Sequence, residues 1–275
     1  MTATTTPVTG FAYLDGDEAH PGVPLAFAHR GGAAHPAVVG HENTLEAFEH
    51  AAGLGYVHLE TDVQVTADGV LVAFHDALLE RVTGTVGAVG DLTLAEVRRL
   101  RVGERGTVPT LAELVERLPG ARFNIDLKCD RSPEALAAFV AEHDLWDRVL
   151  VGSFSAGRIR RFRRLVGGRV PTAAHRGEIV AFVLLPGRVA DRLTGGRVAA
   201  LQVPVERVLP IVSARLVRRA HATGKHVHVW TIDDRAEMEA LLDLGVDGLM
   251  TDRTDVLREV LLARGAWGGR DPRTP

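Results

Sequence analysis

From residue 25 onward, short apolar runs alternate with segments of helical period, and this alternation restricts the chain more than any single motif does. The apolar runs are LAFAHR (25–30), VHLETDVQV (57–65), RFNIDLK (122–128), VLVGSF (149–154), RVPTAA (169–174), VAALQVP (198–204), HVHVWTI (226–232) and DGLMTD (247–252). Between them lie patterns such as NTLEAFEHAAGLG, SPEALAAFVAEH, SARLVRRAHATG and RAEMEALLDLG, whose apolar residues recur every three or four positions. A strand followed by a helix returns to the sheet in parallel. Eight such units in about 250 residues predict an α/β fold of the (β/α)8 TIM barrel type.

Two stretches depart from the repeat. After VHLETDVQV, the turn ADG leads into VLVAFHD, which reads as an antiparallel hairpin partner, and two short helical patterns follow (TLAEVRRL, TLAELVERL). Residues from about 64 to 110 therefore read as a small insertion after the second strand. The domain expectation is an N-terminal extension over 1–23, one barrel over 24–265 and a Gly/Pro-rich, loosely held tail over 266–275. In the first helix, Asn43 with Glu46 three residues on reads as an N-cap with its capping-box partner, and Gly53 as the helix end.

Composition narrows the class. A chain of 275 residues with 46% hydrophobic residues and a net charge of −3 fits an ordinary globular protein and lacks the basic footprint of a nucleic-acid binder. One cysteine, Cys129, excludes an internal disulfide framework and speaks against a cysteine metal site. The start, MTATTTPVTGFAYLDGDEAH, has no basic leader and no apolar core, and no apolar run is long enough to span a membrane. The expectation is a cytoplasmic protein with no stable membrane insertion. Of 32 basic residues only Lys128 and Lys225 are lysines, so a chain that otherwise uses arginine keeps two compact ammonium groups.

In a barrel of this kind the chemistry sits at the C-terminal ends of the strands. His29 and Arg30 end the first run; Glu60 and Asp62, two apart, share one face of the second; His75 and Asp76 end the hairpin arm; Asp126 and Lys128, again two apart, end RFNIDLK; Trp230 lies near the end of HVHVWTI. Glu60, Asp62 and Asp126 form an oxygen-rich set suited to a hard divalent cation, Mg²⁺ or Ca²⁺. His29 and His75 are suited to act as general base and general acid near neutral pH. Arg30 and Lys128 match a phosphoryl group.

At these residues the sequence resembles the glycerophosphodiester phosphodiesterase family, within the phospholipase C-like phosphodiesterase superfamily. The matching stretches are HRGG (29–32), ENTLEAF (42–48), ETDVQVTADG (60–69), FHDALLERVTG (74–84), VPTLAEL (108–114), IDLK (125–128), GSF (152–154), VHVWTIDD (227–234) and DGLMTD (247–252), in family order. The resemblance implies a divalent cation held by Glu60, Asp62 and the acidic position 126, catalytic histidines His29 and His75, and phosphate contacts from Arg30 and Lys128. It implies hydrolysis of a small-molecule glycerophosphodiester to sn-glycerol 3-phosphate and an alcohol, either through a cyclic phosphate formed by a glycerol hydroxyl or by direct attack of water. Three positions depart from the family pattern: Asp126 where glutamate is usual, a longer AAHPAVVGH segment carrying His35 and His41, and Gln202 where asparagine is familiar.

Other polar residues take plainer readings. Lys225 is structural, Cys129 packs toward the helices, His58, His226 and His228 belong to the core, and Glu42 orients Arg30. Trp230 serves equally as packing or as a contact to the alcohol moiety. The tetrapeptide AHRG occurs twice, at 28–31 and 174–177. The first copy is followed by the family's motifs and reads as catalytic; the second, at His175 and Arg176, reads as a coincidental repeat and at most a specificity element. Two further readings stay open: a phospholipid lyase ending at a cyclic phosphate, and a barrel that binds glycerophosphate-like ligands without turnover.

Overall fold

The computed structural model describes residues 7–15, 22–103, 106–205, 211–270 and 272–273. Seven parallel strands form a curled sheet: β1 (Leu25–His29), β2 (His58–Val65), β4 (Arg122–Leu127), β5 (Val149–Gly152), β6 (Ala200–Pro204), β7 (His226–Trp230) and β8 (Gly248–Thr251). Their order is β5-β4-β2-β1-β8-β7-β6, and the short β3 (Leu71–Ala73) pairs antiparallel with β2 as the hairpin reading expects. The run RVPTAA forms no continuous strand. Thr172 bridges in parallel to Val151 of β5, and Ala173 bridges to Ala200 of β6. Pro171 has no amide hydrogen to donate, which shortens the ladder here to those two contacts.

Two cores separate the faces of the sheet. Outside it, Leu59, Val63, Phe123, Ile125 and Leu127 pack with helical residues such as Phe48, Leu136 and Phe162. Inside it, Phe27, Leu150, Ala173, Ala200 and Met250 pack with Tyr13 and Leu14 from the N-terminal segment. The period of two along each strand assigns these sets, and it carries the same inward face up to Glu60, Asp62, Asp126 and Trp230. Residues 66–110 carry a small core of their own, in which Val72, Phe74, Leu79, Val89 and Val97 are buried together.

Both ends of the described chain meet the N-terminal ends of the strands. Tyr13 stacks edge-on against His58 at 5.4 Å. Described residues of the Gly/Pro-rich 266–275 segment make contacts with the body of the fold: Trp267 packs edge-on against Tyr56 at 5.1 Å, the Arg270 amide donates to Gly55 O, and the Gly120 amide donates to Pro272 O. The half-buried Trp267 ring thus meets a fully buried tyrosine.

At the floor of the curled sheet, Phe27 lies between His58 (5.2 Å) and His228 (4.9 Å). Burial, with Arg122 nearby, pushes His58 down to about 3, and burial beside His226 and His58 holds His228 well below its ordinary value. A histidine depressed in the folded state binds its proton more readily when unfolded, so its stabilising effect is complete above about pH 6.5 and fades as the pH falls toward the folded value. Unfolding free energy measured by denaturant titration is therefore expected to fall from pH 6.5 to pH 4.5, by about 1.4 kcal/mol per unit for each such histidine. His228→Leu should flatten that slope; an equal slope in the variant would remove His228 from the account.

Candidate active site

The C-terminal ends of the strands surround a cavity of about 530 Å³. Its lining includes His29, Arg30, Glu60, Asp62, His75, Asp126, Lys128 and Trp230, so all eight predicted site residues reach one space. Register explains the convergence. His29 is paired with Glu60 across β1 and β2, and Asp62 with Asp126 across β2 and β4.

The HRGG turn shapes the first corner. Arg30 has a left-handed backbone (φ 49°), followed by Gly31 at 86° and Gly32 at 82°. This turn brings the Arg30 amide to Glu60 Oε2 at 3.0 Å and its guanidinium to Glu42 Oε1 at 3.0 Å. Arg30 Nε stands 3.1 Å from Asp62 Oδ2, an ion-pair distance without hydrogen-bond alignment. A Cβ on Gly31 would fall 2.7 Å from Ala47 Cβ, so helix α1 (Leu45–Gly53) packs directly on the turn. Gly31→Ala should cost about 1–3 kcal/mol from backbone strain before the clash is counted. A chemical-denaturation midpoint equal to wild type would refute that.

Asn43 does not cap α1. Thr44 is the N-cap, accepting from the Ala47 amide. Asn43 adopts φ 55°, donates to Asp62 Oδ2 at 3.0 Å and accepts from Thr61 Oγ1 at 2.8 Å. The adjacent threonine supplies the cap, which frees the asparagine to hold a buried carboxylate. Gly53 ends the helix as expected, as its last residue, and Leu54 is the C-cap.

Each histidine is held by a carboxylate through Nδ1, His29 by Asp252 at 3.0 Å and His75 by Asp76 at 2.5 Å. With Nδ1 engaged, Nε2 is the nitrogen left to exchange a proton with a ligand. His29 Nε2 lies 3.9 Å from Glu60 Oε2. Burial opposes charge on His29, but Glu60 and the hydrogen bond to Asp252 outweigh it and raise its pKa. Asp252→Asn is expected to lower the His29 pKa, read from the ring resonances in an NMR titration; no change would mean that Glu60 alone sets it.

Lys128 Nζ bridges the neighbouring strands, 2.9 Å from Asp62 Oδ1 and 2.6 Å from Asp126 Oδ2. Burial works against Asp62, yet Lys128 and Arg30 lower its pKa; burial raises Asp126 despite Lys128. Burial beside Asp62 also raises Glu60. Asp126 Oδ1 is buried without a hydrogen-bond partner. Among the described residues, no three His, Cys, Asp or Glu side chains are gathered closely enough to form a metal cluster as they stand. The ammonium of Lys128 occupies the position between two of the three predicted ligands.

The sequence reading missed several contributors. Asp252 and Asp76 lay within quoted motifs but were given no role, and each orients a histidine. Glu42 does orient Arg30 and is itself gripped by Arg81 at 2.6 and 2.7 Å. Gln202 donates to Asn124 Oδ1 at 2.7 Å within the cavity wall. Trp230 lines the cavity edge-on to Phe154 at 5.6 Å. His35 of the longer loop sits against His50, with ring nitrogens 3.3 Å apart, and does not line the cavity. Of the second AHRG, His175 caps a helix while Arg176 lines the cavity.

Fold and site together define a curled parallel sheet with two carboxylate-held histidines, three carboxylates and two cations lining one cavity at its mouth. The model of the glycerophosphoryl diester phosphodiesterase family matches residues 29–256. A Mycobacterium tuberculosis protein named "Probable glycerophosphodiester phosphodiesterase 2" is 39% identical over 250 residues, covering 89% of this chain and 93% of the relative. A glycerophosphodiester phosphodiesterase of Caldanaerobacter subterraneus is 30% identical, covering 85% of this chain and 96% of its own length. Among solved structures, an Oleispira antarctica phosphodiesterase in complex with the product sn-glycerol-3-phosphate superposes with a TM-score of 0.72 at 25% identity, over 87% of this chain and 97% of that one. The chain belongs to the glycerophosphoryl diester phosphodiesterase family, whose named members are phosphoric diester hydrolases. Among the described residues, no helix is long and apolar enough to cross a membrane.

Proposed function

We propose that this protein hydrolyses glycerophosphodiesters to sn-glycerol 3-phosphate and an alcohol, with a divalent cation and with His29 and His75 as the acid/base pair. The observation that carries the reading is the matched pair of histidines, each fixed through Nδ1 by a carboxylate and both lining the same cavity. Arg30 and Lys128 supply positive charge at the phosphate. One histidine takes the proton of the attacking hydroxyl, from water or from the glycerol, and the other gives a proton to the departing alkoxide. The sum is one water consumed and one P–O bond exchanged. Under this reading the fold is a closed (β/α)8 barrel, with Thr172 and Ala173 as its reduced fifth strand and residues from about 64 to 110 as an insertion.

Glu60, Asp62 and Asp126 would hold the cation, Mg²⁺ or Ca²⁺. The support is the chemistry of the donor set: three carboxylates at one mouth, with Asp126 Oδ1 buried and unpartnered. When bound, such a cation neutralises charge on the phosphoryl oxygens. Lys128, whose ammonium meets Asp62 and Asp126 here, would share those carboxylates with the cation and remain within the same cavity as the phosphate.

The test is release of sn-glycerol 3-phosphate from a glycerophosphodiester by purified protein with Mg²⁺, with Ca²⁺ and with EDTA. Turnover is expected with a cation and absent with the chelator. His29→Ala and His75→Ala should each lower kcat by about 10²–10⁴. Turnover that survives EDTA would remove the cation from the reading, and full activity in either variant would remove that histidine.

A further inference from the structure

Arg176 belongs to the second AHRG, which the hydrolytic machinery does not use. It is the first residue of the helix Arg176–Leu184, it is exposed, and it lines the cavity. The start of that helix is fixed firmly. Glu178 takes Arg163 in a buried two-pronged ion pair at 2.6 and 3.1 Å and accepts from the His175 amide at 3.0 Å, while the Gly177 amide donates to His175 Nδ1 at 3.1 Å. The guanidinium of Arg176 itself makes no ion pair and no hydrogen bond among the described residues; it lies over the Phe154 ring, 5.3 Å from the centroid.

The charge pattern of the cavity makes this cation unusual. Its acidic lining residues are Glu60, Asp62 and Asp126. Each already meets a donor or cation: the Arg30 amide and His29 at Glu60, Arg30 and Lys128 at Asp62, and Lys128 at Asp126. No acidic residue among the described lining faces Arg176. Phe154 is half exposed and would otherwise offer a ring face to a quaternary ammonium. Lys128 Nζ already stands 5.5 Å from that same centroid, and Trp230 meets the ring edge-on. A third cation there would face two like charges. Lys128 and Arg176 thus sit at the same ring, 5.5 and 5.3 Å from its centroid.

We propose that Arg176, presented on Phe154 beside Lys128, is a specificity residue that selects phosphodiesters whose alcohol moiety carries a negative charge and disfavours those with a trimethylammonium group. This rests on the hydrolytic reading for its assay but not for its geometry. A phosphate or carboxylate on the alcohol meets an unpaired guanidinium; a choline head meets repulsion and an occupied ring.

The experiment compares kcat/KM for sn-glycero-3-phosphocholine, sn-glycero-3-phosphoglycerol and the terminal phosphate monoester of the latter. Wild type should favour the monoester over the choline diester by at least about tenfold at low salt, shrinking as ionic strength rises. Arg176→Lys should keep the order, Arg176→Ala should compress it, and Arg176→Glu should reverse it. Each variant's thermal midpoint is measured alongside, so a folding defect is separated from a change in ratio. An order unmoved in folded Arg176→Glu, or a wild type that prefers the choline diester, overturns the proposal. If wild type turns over none of the three, the hydrolytic reading falls, and the same ligands are ranked by calorimetric binding. A charge order that Arg176→Glu reverses then sustains the proposal, and its absence overturns it.

Discussion

The Lys128 ammonium between Asp62 and Asp126 is the interaction on which the mouth of this sheet depends. Two strands in register bring two carboxylates side by side, and buried like charges close together cannot both stay ionised without a cation. Lys128 reaches both, one residue beyond the end of β4. A guanidinium is broader and directs its donors in a plane, whereas an ammonium is compact and can serve two acceptors from one point. That difference gives a physical sense to a lysine in a chain where nearly every other base is arginine. Around this bridge the remaining groups arrange themselves by the same need, Asn43 on Asp62 and Arg30 among Glu42, Glu60 and Asp62.

Much of this was legible in the sequence because two periods act together. The period of two on each strand identified the inward residues, and those level with the C-terminal ends of β1 and β4 reach the mouth. Hence Glu60 with Asp62, and Asp126 with Lys128, were readable as pairs before any coordinates. What was not legible depends on contacts between distant segments. Asp252 finds His29 across 223 residues of chain, and no local pattern announces it. The roles of Asn43 and Thr44 turn on which of two adjacent cap-capable residues takes the left-handed backbone, a choice made by the packing of the turn. The run at 169–174 had strand character but paired at only two positions. Composition likewise does not register that Trp267 meets Tyr56.

The two copies of AHRG show why a short motif is not a site. In the first, two glycines after the arginine allow a left-handed turn that folds Arg30 back over the carboxylates. In the second, Gly-Glu-Ile-Val follows, a helix starts at once, and the histidine is spent capping it while the arginine extends over an aromatic ring. Identical side chains are aimed differently by the backbone that follows them.

Beneath the polar mouth, Phe27, Leu150 and His228 are fully buried, and the N-terminal segment lays Tyr13 and Leu14 under them. The polar mouth therefore rests on a packed apolar floor, so a ligand held among Glu60, Asp62 and Asp126 has charged groups around it and hydrocarbon beneath it.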